Sequence, residues 1–427
     1  MKLAVIGCGK MGFPIAVQAA SRGVDVVGVD VNENIVAAIN KGISPVGEPG
    51  IEELLYNVIR AGKLTATIDL KEAVSQADAV IVIVPVILTD SNQADLGMIK
   101  QVTEGIAQAM KSGITVSYET TLPVGTTRDI LLPILERSGL KVEKDFYVVY
   151  SPERVKSLMV MDLLNKIPKV IGGAGPLSLE KGMKLYGTIL RTELASVETL
   201  EKAEMVKLAG MIYRDVNIAL ANEISRYCDK VGVNLVEIIP LINTDGEAHF
   251  LQPGIGVGGH CTPVYPYFLI NDAKRKEASQ SLAEAARKIN DTQPEYLLKI
   301  LKSRLGEIRD LKILLLGLGF RPDVKEDTKS PTYLIKEIFE KHGLKYFLYD
   351  PLYSKEEIRQ KGFVYSDLYS KDQIDVVVLV TAHSPFTKLD WNGLKGKGIK
   401  VFIDGRNCFK INDVEKYGIK YIGFGNG

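Results

Sequence analysis

Cysteine and histidine are scarce in this chain of 427 residues, at four each. Their spacing excludes two kinds of site. Cys8, Cys228, Cys261 and Cys408 lie far apart without a CxxC pair, so neither a disulfide scaffold nor a paired redox motif is expected, and a reducing, cytoplasmic setting fits best. His249, His260, His342 and His383 show no ligand spacing. A bound zinc needs a tighter cluster of His, Cys or carboxylate, and no metal is predicted. A surplus of one charge is also missing: 53 Lys and Arg face 52 Asp and Glu, for a formal net charge of +1. No positive field is left over for a nucleic-acid backbone or an anionic membrane surface. Apolar runs of about 18 residues, the length that spans a bilayer, are absent. The apolar start, Met1 to Ile6, stops at Gly7 ahead of Lys10 and reads as a buried strand, not a signal peptide.

What is present is ordinary globular composition, 46% hydrophobic and 25% charged, at a length that predicts two or three domains of roughly 150 residues. Short β-branched runs alternate with helical patterns up to about residue 190: 3–6, 24–29, 79–84, 114–118, 147–150 and 170–171. Such alternation predicts a parallel sheet with crossover helices. From 197 to 230, Met205, Leu208, Ile212, Val216, Leu220 and Ile224 recur at three- and four-residue steps without proline, the pattern of one long helix. Shorter helical patterns cover 235–239 and 279–290, and a loop with one proline and four glycines runs from Gln252 to Cys261. A second α/β series follows, with strands at 312–316, 346–348, 376–380 and 401–403. The predicted class is α/β: two Rossmann-like, doubly wound parallel-sheet domains joined by a long-helix all-α central domain, with boundaries at 1–195, 196–305 and 306–427.

The first strand runs into Gly7-Cys8-Gly9-Lys10-Met11-Gly12, a GxGxxG at a strand-to-helix turn. Gly7 permits the tight turn, Gly9 lets a pyrophosphate approach the backbone, and Gly12 permits close helix–strand packing. The second strand ends at Asp30, eighteen residues past Gly12, where a carboxylate can accept hydrogen bonds from a ribose and favours NAD over NADP. The later Gly317-Leu318-Gly319-Phe320 lacks the third glycine and makes a poor dinucleotide cradle. Arg321 and Lys325 beyond it are either phosphate partners or a solvated basic loop.

Cys261 follows Gly256-Val257-Gly258-Gly259-His260. Free amides and a neighbouring imidazole there can favour thiolate, the nucleophilic form. A dehydrogenase with a nucleophilic cysteine points to oxidation beyond the aldehyde: thiol addition, hydride loss and thioester hydrolysis. A bland loop cysteine is the equal alternative on these residues alone.

Across its whole length the chain resembles the nucleotide-sugar 6-dehydrogenases, which oxidise UDP- or GDP-sugars to uronic acids with two NAD per turnover. The resemblance is carried by the fingerprint, by Glu48-Pro49-Gly50, Thr120-Thr121-Leu122-Pro123-Val124-Gly125, Ser151-Pro152-Glu153-Arg154, Val170-Ile171-Gly172-Gly173, Lys207, the Cys261 loop and Asp404-Gly405-Arg406-Asn407. His260 and the run Tyr213-Arg214-Asp215-Val216-Asn217 are most similar to the branch acting on UDP-N-acetylmannosamine or UDP-N-acetylglucosamine. The resemblance implies Cys261 as nucleophile, Lys207 as oxyanion stabiliser, Glu153 as the carboxylate that activates water, and Thr121 as the residue that orders it. It implies NAD contacts from Gly7, Gly9, Lys10, Met11, Gly12, Asp30, Val84, Pro85, Thr121 and Glu153. UDP-sugar contacts follow from Arg154, Lys207, Arg214, Asn217, Gly258, His260, Phe320, Arg321 and Lys325. It also implies a homodimer with 306–427 binding the nucleotide. Turn capping is the plain alternative for Thr121 and Glu153, and an exposed helix lysine for Lys207.

Four positions depart from the family pattern: Met211 replaces an Asn one turn after the lysine, Tyr265 an acid, Thr328 an Arg, and Val86 a Thr. The usual Pro-Gly pair is also missing from 155–158. These departures leave open a divergent member with weakened catalysis, or one acting on UDP-glucose, UDP-N-acetylgalactosamine or GDP-mannose. A 3-hydroxyacyl or 6-phosphogluconate-type dehydrogenase would need neither the second α/β series nor a nucleophilic cysteine.

Overall fold

A computed structural model describes residues 1–368, 370 and 372–427. Its contacts group the chain into two compact units, Met1–Gly210 with Tyr267–Lys276, and Met211–Pro266 with Glu277–Gly427. The helical middle of the chain contributes to both.

The first unit is built on eight strands: β1 (Lys2–Ile6), β2 (Asp25–Val29), β3 (Leu64–Thr67), β4 (Ala79–Val82), β5 (Thr115–Tyr118), β6 (Tyr147–Tyr150), β7 (Lys169–Gly173) and β8 (Leu194–Thr199). Their order is β3-β2-β1-β4-β5-β6-β7-β8. The strands from β3 to β6 pair parallel. β7 then pairs antiparallel with β6, and β8 parallel with β7, so the sheet reverses direction near one edge. The β6–β7 link carries only the short helix Val160–Leu163 instead of the crossover helix typical of a parallel return. The strand order reverses between β1 and β4, and at such a switch point a crevice opens beyond the carboxyl ends of the strands. β3 and β8, which the hydrophobic pattern does not announce, are edge strands with only partial burial. An edge exposes its flank to water and tolerates polar residues.

The second unit holds β9 (Lys312–Leu316), β10 (Lys345–Tyr349), β11 (Val376–Leu379), β12 (Val401–Asp404) and β13 (Lys420–Gly423), all parallel in the order β10-β9-β11-β12-β13. Alternate residues feed two cores. Ile313, Leu315, Val376 and Val378 enter one, and Leu314, Leu316, Val377 and Leu379 the other. A sheet covered on both faces therefore reads as continuous aliphatic sequence, each such side chain contributing about 1.5–3 kcal/mol by burial.

The long helix is Leu200–Val231, 32 residues, about 48 Å at 1.5 Å per residue. The helix Tyr265–Arg275 is concealed in the sequence by Pro263 and Pro266, yet proline in a first helical turn removes no intrahelical bond. No helix among the described residues is long and apolar enough to cross a membrane.

Candidate active site

In the first unit, Gly7 takes φ +93°, and a Cβ there would lie 2.3 Å from the Ile83 carbonyl oxygen just after β4. A Cβ on Gly12 would meet the Gly7 carbonyl oxygen at 1.9 Å, whereas one on Gly9 would meet nothing within 4 Å. Two glycines thus let the backbone close on itself, and the middle one faces open space. The helix Gly12–Ser21 begins without a side-chain cap on Met11; the Phe13 amide donates to the Gly9 carbonyl at 3.1 Å and Pro14 has no N–H, so an anion would meet the amides of the turn up to Gly12. Asp30 is half-buried. Its carboxylate accepts from the Cys8 amide at 2.9 Å and from the Asn32 amide at 2.9 Å, which holds it at the turn. Burial, aided by Asp30, pushes the Cys8 thiol up to about 12, so Cys8 is no nucleophile. Lys10 and Pro85 are exposed and Val84 is buried. The Val84 carbonyl accepts from the Thr120 hydroxyl at 2.7 Å.

The motif Ser151–Arg154 follows β6 in the same unit. Oε1 of Glu153 accepts from the Arg154 amide at 2.5 Å and the Val155 amide at 2.8 Å, and Oε2 lies 3.3 Å from the Lys169 ammonium. Lys207, buried on the long helix, donates to the Glu153 backbone carbonyl at 2.5 Å. Burial acts to raise the Glu153 carboxyl, but Lys169, the Val155 amide and Lys207 outweigh it and hold the group below the usual carboxylate range. Thr121 is buried. The Arg154 guanidinium donates to the Pro168 carbonyl. Thr121, Glu153 and Lys207 therefore share one unit, with the last two in contact. Glu48 of the Glu-Pro-Gly motif is also here, accepting from the amides of Leu158 and Val160 and so fixing the segment that follows Arg154.

Sequence reasoning missed two charged residues beside Glu153. Lys169 donates to Glu119 at 2.6 Å, and the Tyr186 hydroxyl donates to the other oxygen of Glu119 at 2.7 Å. The available signal was a charged residue at the start of, or just after, an otherwise apolar strand: Lys169 opens β7, and Glu119 follows β5.

In the second unit Cys261 is half-buried, and its carbonyl accepts from the amides of Val264 and Tyr265 at 3.1 and 2.9 Å. The glycine loop before it is tied along its length. Gly254 is held by Asn222 at 2.9 Å and by Gln293 at 2.7 Å. The Ile255 amide donates to the Gly405 carbonyl and the Gly259 amide to the Thr328 carbonyl, each at 2.9 Å, and Arg406 donates to the Gly256 carbonyl at 3.3 Å. Asp404–Asn407 thus anchors the cysteine loop. Gly259 takes φ +103°, and a Cβ on Gly258 would lie 2.6 Å from the Cβ of Phe320, so these glycines serve close packing against the Phe320 turn. The His260 imidazole is engaged by the Glu326 carboxylate and stands edge-on to Phe320. Arg287, fully buried, donates to Asp215 at 2.6 Å and reaches the Thr262 carbonyl at 3.4 Å.

Of the remaining substrate candidates, Arg214 is exposed. The Asn217 amide is taken up by the His249 carbonyl, and its oxygen accepts from the Leu251 amide at 3.3 Å. Lys325 pairs with Glu357 at 2.6 Å, and Arg321 is half-buried. At the second glycine turn, Asp350 is fully buried and accepts from the amides of Leu318 and Gly319 at 2.6 and 3.0 Å.

Three domain models of the UDP-glucose/GDP-mannose dehydrogenase family match the chain: the NAD binding domain over 1–190, the central domain over 201–292 and the UDP binding domain over 314–411. A UDP-N-acetyl-D-mannosamine dehydrogenase of Pyrococcus horikoshii is 33% identical over 433 residues, covering 100% of both chains. An NDP-N-acetyl-D-galactosaminuronic acid dehydrogenase of Ralstonia nicotianae is 33% identical over 421 residues, 96% of this chain and 97% of its own. The solved structure of the Pyrococcus horikoshii UDP-D-ManNAc dehydrogenase superposes with a TM-score of 0.91 at 32% identity, over 100% of both chains. The chain therefore belongs to the UDP-glucose/GDP-mannose dehydrogenase family and is an NAD-dependent nucleotide-sugar dehydrogenase.

Proposed function

We propose that the enzyme oxidises the C6 hydroxyl of UDP-N-acetyl-D-mannosamine to the uronic acid in two NAD-dependent steps, through a thiohemiacetal and a thioester on Cys261. The observation that carries this reading is the tethering of the Cys261 loop at Gly254, Ile255, Gly256 and Gly259, a frame that a bland loop cysteine does not need. The sugar is suggested by the relatives from Pyrococcus horikoshii and Campylobacter jejuni, both UDP-N-acetyl-D-mannosamine dehydrogenases.

The open face at Gly9, the uncapped helix start and Asp30 fit a dinucleotide. NAD, when bound, supplies a hydride acceptor. The roles of the chain's own residues follow from their chemistry. After C6 has lost a hydride and its hydroxyl proton, the Cys261 thiolate adds to the aldehyde carbon, and the carbonyl oxygen takes a proton to give the thiohemiacetal. Loss of a second hydride and of that proton leaves the thioester. Water ordered by Thr121 gives a proton to Glu153 and adds to the thioester carbon. The Lys207 ammonium offsets the negative charge on oxygen, and the C–S bond breaks to return the thiolate. Arg154, Arg214, Asn217, Gly258, His260, Phe320, Arg321 and Lys325 line the sugar-nucleotide side in this reading.

NAD reduction measured with UDP-N-acetylmannosamine, UDP-N-acetylglucosamine, UDP-N-acetylgalactosamine, UDP-glucose and GDP-mannose tests it. The expected result is a preference for UDP-N-acetylmannosamine with two NADH per sugar, and loss of acid formation in Cys261→Ser. No NADH on any member of the panel overturns it. Met211 and Thr328, which depart from the family pattern the sequence resembles, favour a second reading, a member with weakened catalysis or another sugar preference. One NADH per sugar, or a different best substrate, selects that reading.

The enzyme is further proposed to be a cytoplasmic homodimer. Tyr213, Leu220 and Tyr227 repeat at seven-residue steps on the long helix and are 60%, 45% and 67% exposed, an apolar stripe of the kind that pairs helices. Light scattering on purified protein is expected to give about twice the 46.9 kDa chain mass; a monomer mass at micromolar concentration contradicts it.

A further inference from the structure

Glu153 is one end of a buried chain of charges. Its Oε1 is occupied by two backbone amides, so Oε2 is the oxygen left to respond to its surroundings, and that oxygen faces the Lys169 ammonium at 3.3 Å. The Lys169 side chain is only 7% exposed and is shared with Glu119, which is fully enclosed, at 2.6 Å. The second Glu119 oxygen accepts from the Tyr186 hydroxyl, which in turn lies 2.7 Å from the Ser117 hydroxyl. The charged groups facing Glu153 are thus Lys169 from β7, Glu119 just after β5, Lys207 from the long helix and the adjacent Arg154, with Tyr186 behind. Lys169 is the cation on the free oxygen of Glu153. Buried ion pairs are poor stabilisers, because desolvation offsets most of their attraction, so holding β5 to β7 is a weak explanation for this triad.

Resting on the reading of Glu153 as the base of thioester hydrolysis, we propose that Lys169 and Glu119 are positioning residues that fix the Glu153 carboxylate and set how readily it takes the proton of the attacking water. Burial lifts Glu119 up to about 7, while Lys169, against its burial, is raised above the usual ammonium range by both carboxylates.

Both residues are expected to hold Glu153 in its charged form. Lys169→Met removes the cation from the free oxygen of Glu153, so the rising limb of acid formation against pH should move to higher pH, by roughly 1–3 units for an adjacent charge. The acyl-enzyme should then accumulate on Cys261 as an adduct visible by intact mass. Glu119, protonated where Glu153 titrates, holds it down through a hydrogen bond, so Glu119→Leu, which removes that donor, should move the limb to higher pH as well. The measurement is the pH profile of acid formation in the full-length enzyme with NAD and UDP-N-acetylmannosamine or the best substrate of the panel. If Lys169→Met does not fold, the upward shift in Glu119→Leu decides. A wild-type limb that neither variant moves, with only a lower melting temperature, overturns this proposal and leaves the proposed function standing. A wild type without such a limb overturns the role of Glu153 and this proposal with it.

Discussion

The two glycine turns of this molecule share a backbone and differ in what they do with their aspartate. Gly7 and Gly317 both follow the first strand of their sheet with φ near +100° (+93° and +104°), each pressed against the chain just past a neighbouring strand, at Ile83 and at Thr381. In both, the aspartate ending the adjacent strand accepts from the turn amides: Asp30 from Cys8, and Asp350 from Leu318 and Gly319. At the first turn the carboxylate stays half-exposed, and space above Gly9 is open. At the second, Asp350 is fully buried and also accepts from the His383 Nε2–H at 3.0 Å and the Leu352 amide at 2.9 Å. The Asp323 amide donates to His383 Nδ1 at 2.9 Å, which puts the imidazole proton on Nε2, facing Asp350. A Cβ on Gly319 would lie 3.0 Å from the Val324 carbonyl. One geometry leaves its carboxylate half-exposed beside open space, whereas the other encloses it within the turn.

The sharpest way to break the comparison is Gly12→Val. With backbone oxygen already 1.9 Å from an added Cβ, the first turn cannot close, and the expected loss exceeds about 3 kcal/mol, the upper end of ordinary overpacking, read as a collapse of the denaturation midpoint together with NAD binding. Asp350→Asn should follow at about 2–3 kcal/mol, since an amide nitrogen would face donors the carboxylate now accepts. A stability within 0.5 kcal/mol of wild type, an order-of-magnitude bound for neutral changes, would deny Asp350 its structural role. Gly9→Ala and Asp30→Ala should behave oppositely, changing stability little while weakening NAD about tenfold, or roughly 1.4 kcal/mol. Titration calorimetry with NAD checks this, and unaltered affinity in both would remove the first turn as the cofactor cradle.

Acid and base should separate the units most gently. In the first, burial raises Glu119 and Glu204 to about 7 each, above the unfolded value of about 4.3. A raised carboxyl contributes stability that is full below the unfolded value and lost as pH climbs through the folded one, so warming at pH 5, 6.5 and 8 should give a first-unit melting temperature that falls across the series. Asp215, raised by burial to about 6, adds the same trend in the second unit. Asp350 opposes it there: burial would raise it, but His383 and the turn amides hold it below the usual range. Its contribution is present above about pH 4 and lost only in stronger acid. A melting temperature flat from pH 5 to 8 would contradict the buried, raised carboxyls.

Much of this was legible in the residues. The aliphatic runs at 3–6, 79–84, 312–316 and 376–380 marked central strands because burial on both faces leaves no polar position to blur them, and GxGxxG marked its turn because only glycine permits the contacts seen at Gly7 and Gly12. β3, β8 and β13 were not legible, since an edge strand such as Leu64–Thr67 carries no apolar period. Nor was the helix Tyr265–Arg275, hidden by prolines its first turn tolerates. Among candidate site residues, Cys261 and Glu153 stood out through their motifs, whereas Lys169 and Glu119 stand one position ahead of the motifs at Val170 and Thr120 and were passed over.

The sequence by itself determined the class of fold and the glycine turn after the first strand, because backbone freedom at glycine is a local property that needs no neighbour to declare it. Only the tertiary structure decided that Asp350 is fully buried and Asp30 half-buried, that Asp404–Asn407 ties down the cysteine loop, and that Lys169 stands between two carboxyl groups 34 residues apart in the chain. Burial and ion pairing are properties of what surrounds a group. Two aspartates in equivalent local sequence therefore acquire different roles only when the rest of the chain has closed around one of them.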